Sequence, residues 1–258
     1  MRSHTLAAVV AVSLFGIAPG RVEAKDLILR QRVTTTGVHP ETHEATQYWT
    51  ANTMVTDSPD NRVIVDLGHE TMTVADKRQK TYFTQTFAEM RQQAEAMKAA
   101  MQKRMESMPP QAREMMDKMG MGPEAPVSVK STGKSEKIAG YEAKEYTIEG
   151  GPMTASVWAT DALTSPGGAK AQEAMGKMMA GVPGSKFAQA FGQVKGVPLR
   201  TTIRSAAGGA HGFGSTTEVV EVSEKTAPAG VMEVPAGFKK VAAPEIAPMQ
   251  RGKGAPTR

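Results

Sequence analysis

The chain has 258 residues, 31 of them basic and 26 acidic, for a formal charge of +5, and it contains no cysteine. That composition excludes disulfides, thiol nucleophiles and a cysteine-linked lipid anchor. Charges of both signs are interspersed, with no basic block of the kind that tracks a nucleic acid, so no nucleic-acid partner is expected.

The first residues have the three parts of a secretory signal. Arg2 gives the positive start, Leu6 to Ile17 the apolar run, and Val22-Glu23-Ala24 the small-residue cleavage pattern. The run is too short for a stable membrane anchor, and nothing after Ala24 approaches a transmembrane length. Residues 1–24 are therefore read as a signal peptide, 25–241 as one domain, and 242–258 as a disordered basic tail rich in proline and glycine. The expected location is the periplasm, the expected state a soluble monomer.

In chain order, Lys25 to Thr36 alternates as a first strand, and His39 to His43 reads as a polar turn. Gln47 to Thr56 reads as one strand, followed by a turn at Asp57 to Asn61. Arg62 to Leu67, Glu70 to Ala75 and Lys80 to Thr84 follow at spacings so tight that they must be antiparallel hairpins. A helix begins near Thr86 and breaks at Pro109-Pro110, with a second helical piece over Gln111 to Met119. Strands resume at Pro126 to Ile138, Tyr141 to Glu149 and Met153 to Thr160. Asp161 to Gly192 reads as a second helical insertion, interrupted at two Pro-Gly steps. Val197 to Ser205 and Phe213 to Val222 pair as a hairpin, and Val231 to Val241 closes the domain. The pattern is α+β: a long antiparallel sheet with helical insertions after the fifth and eighth strands.

Nine of the eighteen methionines lie between Met90 and Met121. Phe87, Met90, Ala94, Met97, Met101, Met105 and Met108 recur every three or four residues and form one apolar stripe. Such a stripe is either the buried face of a helix or an adaptable surface for apolar partners, because methionine repacks easily. The thioether also binds soft copper(I). Met115, Met116, Met119 and Met121, in Met-x-x-Met and Met-x-Met spacing, are the residues such a metal would use.

Catalytic motifs are missing. There is no Gly-x-Ser-x-Gly elbow, no phosphate-loop glycine order at Gly208–Gly214, and no zinc spacing around His39, His43 or His69. Neither a cofactor nor an enzymatic activity is expected.

Several segments carry a family resemblance: Met72-Thr73-Val74-Ala75-Asp76 with Lys80-Thr81-Tyr82-Phe83-Thr84, and Ile138-Ala139-Gly140-Tyr141-Glu142-Ala143-Lys144-Glu145-Tyr146. Val157-Trp158-Ala159-Thr160, Lys195-Gly196-Val197-Pro198-Leu199-Arg200 and Val234-Pro235-Ala236-Gly237-Phe238-Lys239-Lys240-Val241 continue it. The chain resembles an exported bacterial family of unknown function, similar in organisation to the LolA/LolB-like lipoprotein-carrier superfamily. The resemblance implies a curved antiparallel half-barrel whose concave face is covered by the two helical insertions and can hold acyl chains.

The resulting expectation is a non-enzymatic periplasmic protein that binds an apolar small molecule, a lipid or the lipidated end of a lipoprotein or envelope protein. Trp49, Tyr82 and Trp158 would line the sheet wall, together with Val63, Val65 and Tyr146. Phe87, Met90, Met97, Met101 and Met105 would form the helical wall, joined by Met178 and Phe187 from the second insertion. The alternatives are a copper(I) protein and an envelope protein that docks a partner through its helices.

Overall fold

The computed structural model describes residues 25–37, 40–111, 126–168, 171, 173, 185–205 and 213–243. The signal segment, the copper-candidate methionines, Met178 and the tail from residue 244 lie outside them.

The first half of the chain is a meander. β1 (Leu27–Thr36), β2 (Glu41–Trp49), β3 (Thr53–Asp57), β4 (Asn61–Asp66), β5 (Thr71–Asp76) and β6 (Thr81–Thr86) each pair with the next. The helix α1 (Phe87–Glu106) follows directly. A second meander comprises β7 (Val127–Ile138), β8 (Tyr141–Gly150) and β9 (Met153–Thr160). After these come the short helix α2 (Ser185–Ala190), a 3-10 turn at Phe191–Gln193, and then β10 (Val197–Ser205) and β11 (Gly214–Glu224). β11 returns to pair with β1, and the two meanders merge into one open, curved sheet of twelve strands. The sheet is antiparallel except at its edge, where the two-residue β12 (Lys239–Lys240) runs parallel to β6.

Three expectations change. The segment read as one strand over Gln47 to Thr56 is two strands. The Thr50 hydroxyl accepts from the amides of Asn52 and Thr53 at 3.3 and 2.9 Å, and this local bonding turns a chain of strand-forming residues. The supposed polar turn at His39 to His43 is largely the start of β2, because Glu41, Thr42 and His43 pair opposite Thr35, Thr34 and Val33. The helical insertions follow the sixth and ninth strands, and the first contains the 20-residue α1. Of the second, residues 161 to 167 are non-helical, Gly168, Ala171 and Glu173 are helical, and a six-residue helix spans Ser185–Ala190.

Local chemistry explains the boundaries. Thr86 caps α1 by a reciprocal box: its hydroxyl accepts from the Glu89 amide at 3.1 Å, while the Glu89 carboxylate accepts from the Thr86 amide at 2.7 Å. Pro109-Pro110 lies just beyond the C-cap, Ser107. Gly196, which leads into β10, has φ +88°, and a Cβ there would stand 2.3 Å from the Thr160 carbonyl oxygen. Only glycine fits.

Three clusters form the core. Leu27, Leu29, Leu199 and Val219 anchor the middle of the sheet. Phe87 of α1 packs with Val65, Leu67 and Ala171. Ala190 of α2 packs with Ile148, Ala155, Val157 and Val194. Beyond β11, the chain is held to the first meander. Arg62 donates to the carbonyls of Gly230 and Glu233 at 3.2 Å each, and Lys239 and Val241 donate to Lys80 and Tyr82.

Candidate functional site

Strand register decides which side chains share a face, since successive residues alternate. Trp49, Met54, Val65, Met72 and Gln85 stand directly opposite one another across β2 to β6. Thr56, Val63, Val74 and Phe83 form a second row on the same face. α1 packs there, with Phe87 fully buried and Met90 packed on the cluster it shares with Val65 and Leu67. Across the other meander, Val33, Thr217, Thr201, Val157 and Tyr146 form another row. Val33 shares its parity with Leu29 and, through β2, with Trp49. Phe187, Ala190 and Phe191 pack around Val157. Both helical elements therefore sit on one face of the sheet, α1 over β3 to β6 and α2 over β7 to β10.

The methionine stripe divides along its length. Phe87 and Ala94 are buried and Met90 is half-buried, whereas Met97 and Met101 are 43% and 42% exposed. Met105 is half-buried. From Glu95 to Arg104 every residue is exposed. The helix is thus pinned by its first two turns and carries its apolar stripe outward, open to solvent, rather than burying it as an interior wall.

The register separates the other expected wall residues. Trp49 lies on the helix-bearing face, half-buried against the central cluster, its indole N–H donating to Gln47 at 3.2 Å. Tyr82 stands opposite Ala75, and Ala75 opposite Arg62, so it is on the other face. Tyr82 is therefore no part of a groove with Trp49. Trp158 stands opposite Arg200 and Glu145, again on the outer face. The Arg200 guanidinium covers its ring at 5.9 Å, while donating to Glu136 at 2.8 and 2.9 Å and to Glu218 at 2.5 Å. Those bonds hold the Glu136 carboxyl below its ordinary pKa and push the arginine higher still. Trp158, capped by Arg200, also packs against the central cluster that Trp49 touches.

Phe187 is on the helix-bearing face, edge-to-face with Phe191 at 5.7 Å, but in the cluster under α2 and not with Phe87. The larger of the two best-formed recesses, about 280 Å³, lies beside it, between Pro126, Val127, Lys186, Gln189, Ala190 and Gln193. Of the expected residues, Phe87, Met90, Met97, Met101 and Met105 form one continuous feature.

Among the described residues no group of three or more His, Cys, Asp or Glu is placed to hold a metal ion. His69 bonds Asp66 at 2.8 Å, which leaves it a turn residue. The sequence reading set His43 in a turn and gave neither Gln31 nor His43 a place in the site, yet both stand on the helix-bearing face. The signal for them was available: both keep the apolar parity of their strands.

The arrangement is an open, curved antiparallel sheet with helical elements on one face. The chain belongs to the family described as domain of unknown function DUF4412, whose model matches residues 67–238. No curated protein matches the sequence. Among solved structures, PNGF-II is similar over 85% of this chain and 31% of its own, at 11% identity and a TM-score of 0.41; the chain thus spans about a third of its length. MucB is similar over 84% of this chain and 60% of its own, at 9% identity and a TM-score of 0.36. A LolA superfamily protein from Nitrosomonas europaea is similar over 81% and 90%, at 6% identity and a TM-score of 0.30. Among the described residues no helix is long and apolar enough to cross a membrane.

Proposed function

We propose that this is an exported, non-enzymatic protein that binds an acyl chain, either of a free lipid or at the lipidated end of a protein. The observation that carries this reading is the stripe of α1. It begins buried at Phe87 and Ala94 and continues, on the same side of the helix, to the exposed Met97 and Met101. A stripe already committed to the core at one end and free at the other can extend that apolar contact onto a ligand. Each Å² of apolar surface so covered contributes roughly 25 cal/mol, and methionine accommodates chains of differing length at little cost. Residues 1–24 supply the export signal in this reading.

Exchange of Met97, Met101 and Met105 together for Gln tests it. Displacement of a fluorescent acyl probe should be lost in the triple variant, while its circular dichroism and melting stay those of the unmodified protein. Unchanged probe binding would sink the proposal. The exposure of Met97 and Met101 also favours a second reading, in which the stripe docks onto a partner protein. Copurification of a stoichiometric polypeptide, with no lipid released on denaturation, would select it.

A further inference from the structure

The helix-bearing face is apolar under α1 and under α2; on the strands between them the apolar Leu27, Leu29, Val33 and Val219 share it with the polar Gln31 and His43. Gln31 on β1 stands directly opposite Ala45 on β2 and Val219 on β11. All three are buried, at 5%, 5% and 2% exposure. One step along β2 on the same face is His43, opposite Val33. Its Nδ1 is shielded from solvent and has no hydrogen-bond partner; Oε1 of Glu41 is 3.7 Å away, beyond hydrogen-bonding length. A buried ring nitrogen left unpaired is a standing cost that a hydrogen-bonding ligand removes.

The surrounding charges select the ligand's chemistry. β2 and β11 contain no arginine or lysine, and β1 and β10 contain four arginines. Register sends all four to the opposite face: Arg30 opposite Thr46 and Glu221, Arg32 opposite Glu44 and Glu218, Arg200 opposite Glu218, and Arg204 opposite Gly214. A carboxylate or phosphate at His43 would find no cation on these strands and would meet the Glu41 carboxylate. A hydroxyl or amide would meet no such opposition.

We infer that His43, with Gln31 beside it, forms a subsite for the uncharged hydrogen-bonding head group of an acylated ligand, a hydroxyl or an amide. This rests on the acyl-binding reading above and names the end of the ligand that the methionine stripe does not touch.

The test compares 1-monopalmitoylglycerol with palmitate as competitors of a fluorescent acyl probe, at about pH 8, where palmitate is ionised. The unmodified protein should take monopalmitoylglycerol at least about fivefold more tightly, the scale of one good hydrogen bond. His43→Phe, which keeps a ring but removes both nitrogens, should bring the two within about twofold. His43→Gln should retain the preference. In the unmodified protein the nitrogen resonance of His43 Nδ1 should shift on adding monopalmitoylglycerol, a readout that requires no variant to fold. Equal or tighter binding of palmitate overturns the inference, as does an unmoved resonance or a preference that survives in His43→Phe. If neither competitor binds, the acyl-binding reading itself fails and this subsite falls with it.

Discussion

Arg200 reaches from β10 over the Trp158 ring of β9 to Glu136 on β7, with Glu218 of β11 on its other side. Ala143, the residue opposite Glu136 on β8, leaves room for the crossing. One guanidinium thus ties strands that are not neighbours, and its side chain is only 23% exposed. Arg200→Met should cost about 2 kcal/mol, because two carboxylates lose charge-assisted partners at once; urea unfolding measures it. Gly196→Ala should cost more, since its Cβ would strike the Thr160 carbonyl oxygen. At Asp57, burial favours the neutral acid, but the hydrogen bonds and charges of Arg62 and Lys77 outweigh it, and the net pKa lies below 3.8. The sign follows. The stabilisation from Asp57 is fully present above its unfolded pKa and is lost as pH falls through the lower folded value. The stability difference between the unmodified protein and Asp57→Asn should therefore be flat above about pH 5 and vanish in strong acid.

At the scale of elements, α1 is held by a cap and three side chains. Thr86→Ala should lower stability by about 1 kcal/mol. Past Ala94 the helix has no buried residue through Arg104, and a free helix of that length is marginal in water. Amide exchange should therefore be slow from Met90 to Ala94, fast toward Glu106, and slowed again when an acyl ligand is added. The start of this helix was legible in Thr86-x-x-Glu89, because a capping box is a purely local device. Its stripe was legible too, since period fixes which residues share a side. What lies against that side is set by chain far away in sequence, so buried Phe87 and exposed Met97 look alike in one dimension. The separation of Tyr82 from the groove had a local signal: its neighbour Phe83 takes the opposite parity, and only one of them can join Val63 and Val74. The turn at Thr50 had a weaker one, a hydroxyl among strand formers.

Over the whole molecule, hairpins that close within a few residues were readable, and pairings across the chain were not. Neither the β1–β11 ladder nor the parallel seat of β12 beside β6 leaves a mark near its own residues. The segment from Ala227 to Val241 depends on such distant bonds. Arg62, on the same side of β4 as buried Ile64, holds it by two carbonyls. Arg62→Ala should loosen this strap, with proteolytic cleavage between residues 225 and 238 rising well before the sheet melts.

The β1–β11 ladder joins strands some 190 residues apart, from Leu27 opposite Glu224 to Thr36 opposite Gly214, while every other antiparallel ladder joins consecutive strands. Closing so long a loop is slow compared with closing a hairpin. A chain emerging N-terminus first can therefore zip β1 to β6 while one edge of β1 still waits, unpaired, for the last full strand to arrive. That waiting edge is the moment of greatest exposure to wrong partners. It also means that two separately made halves, cut between α1 and β7, hold all their short-range pairings and should find each other through the long β1–β11 seam, with the C-terminal strap and β12 then closing over β4 and β6.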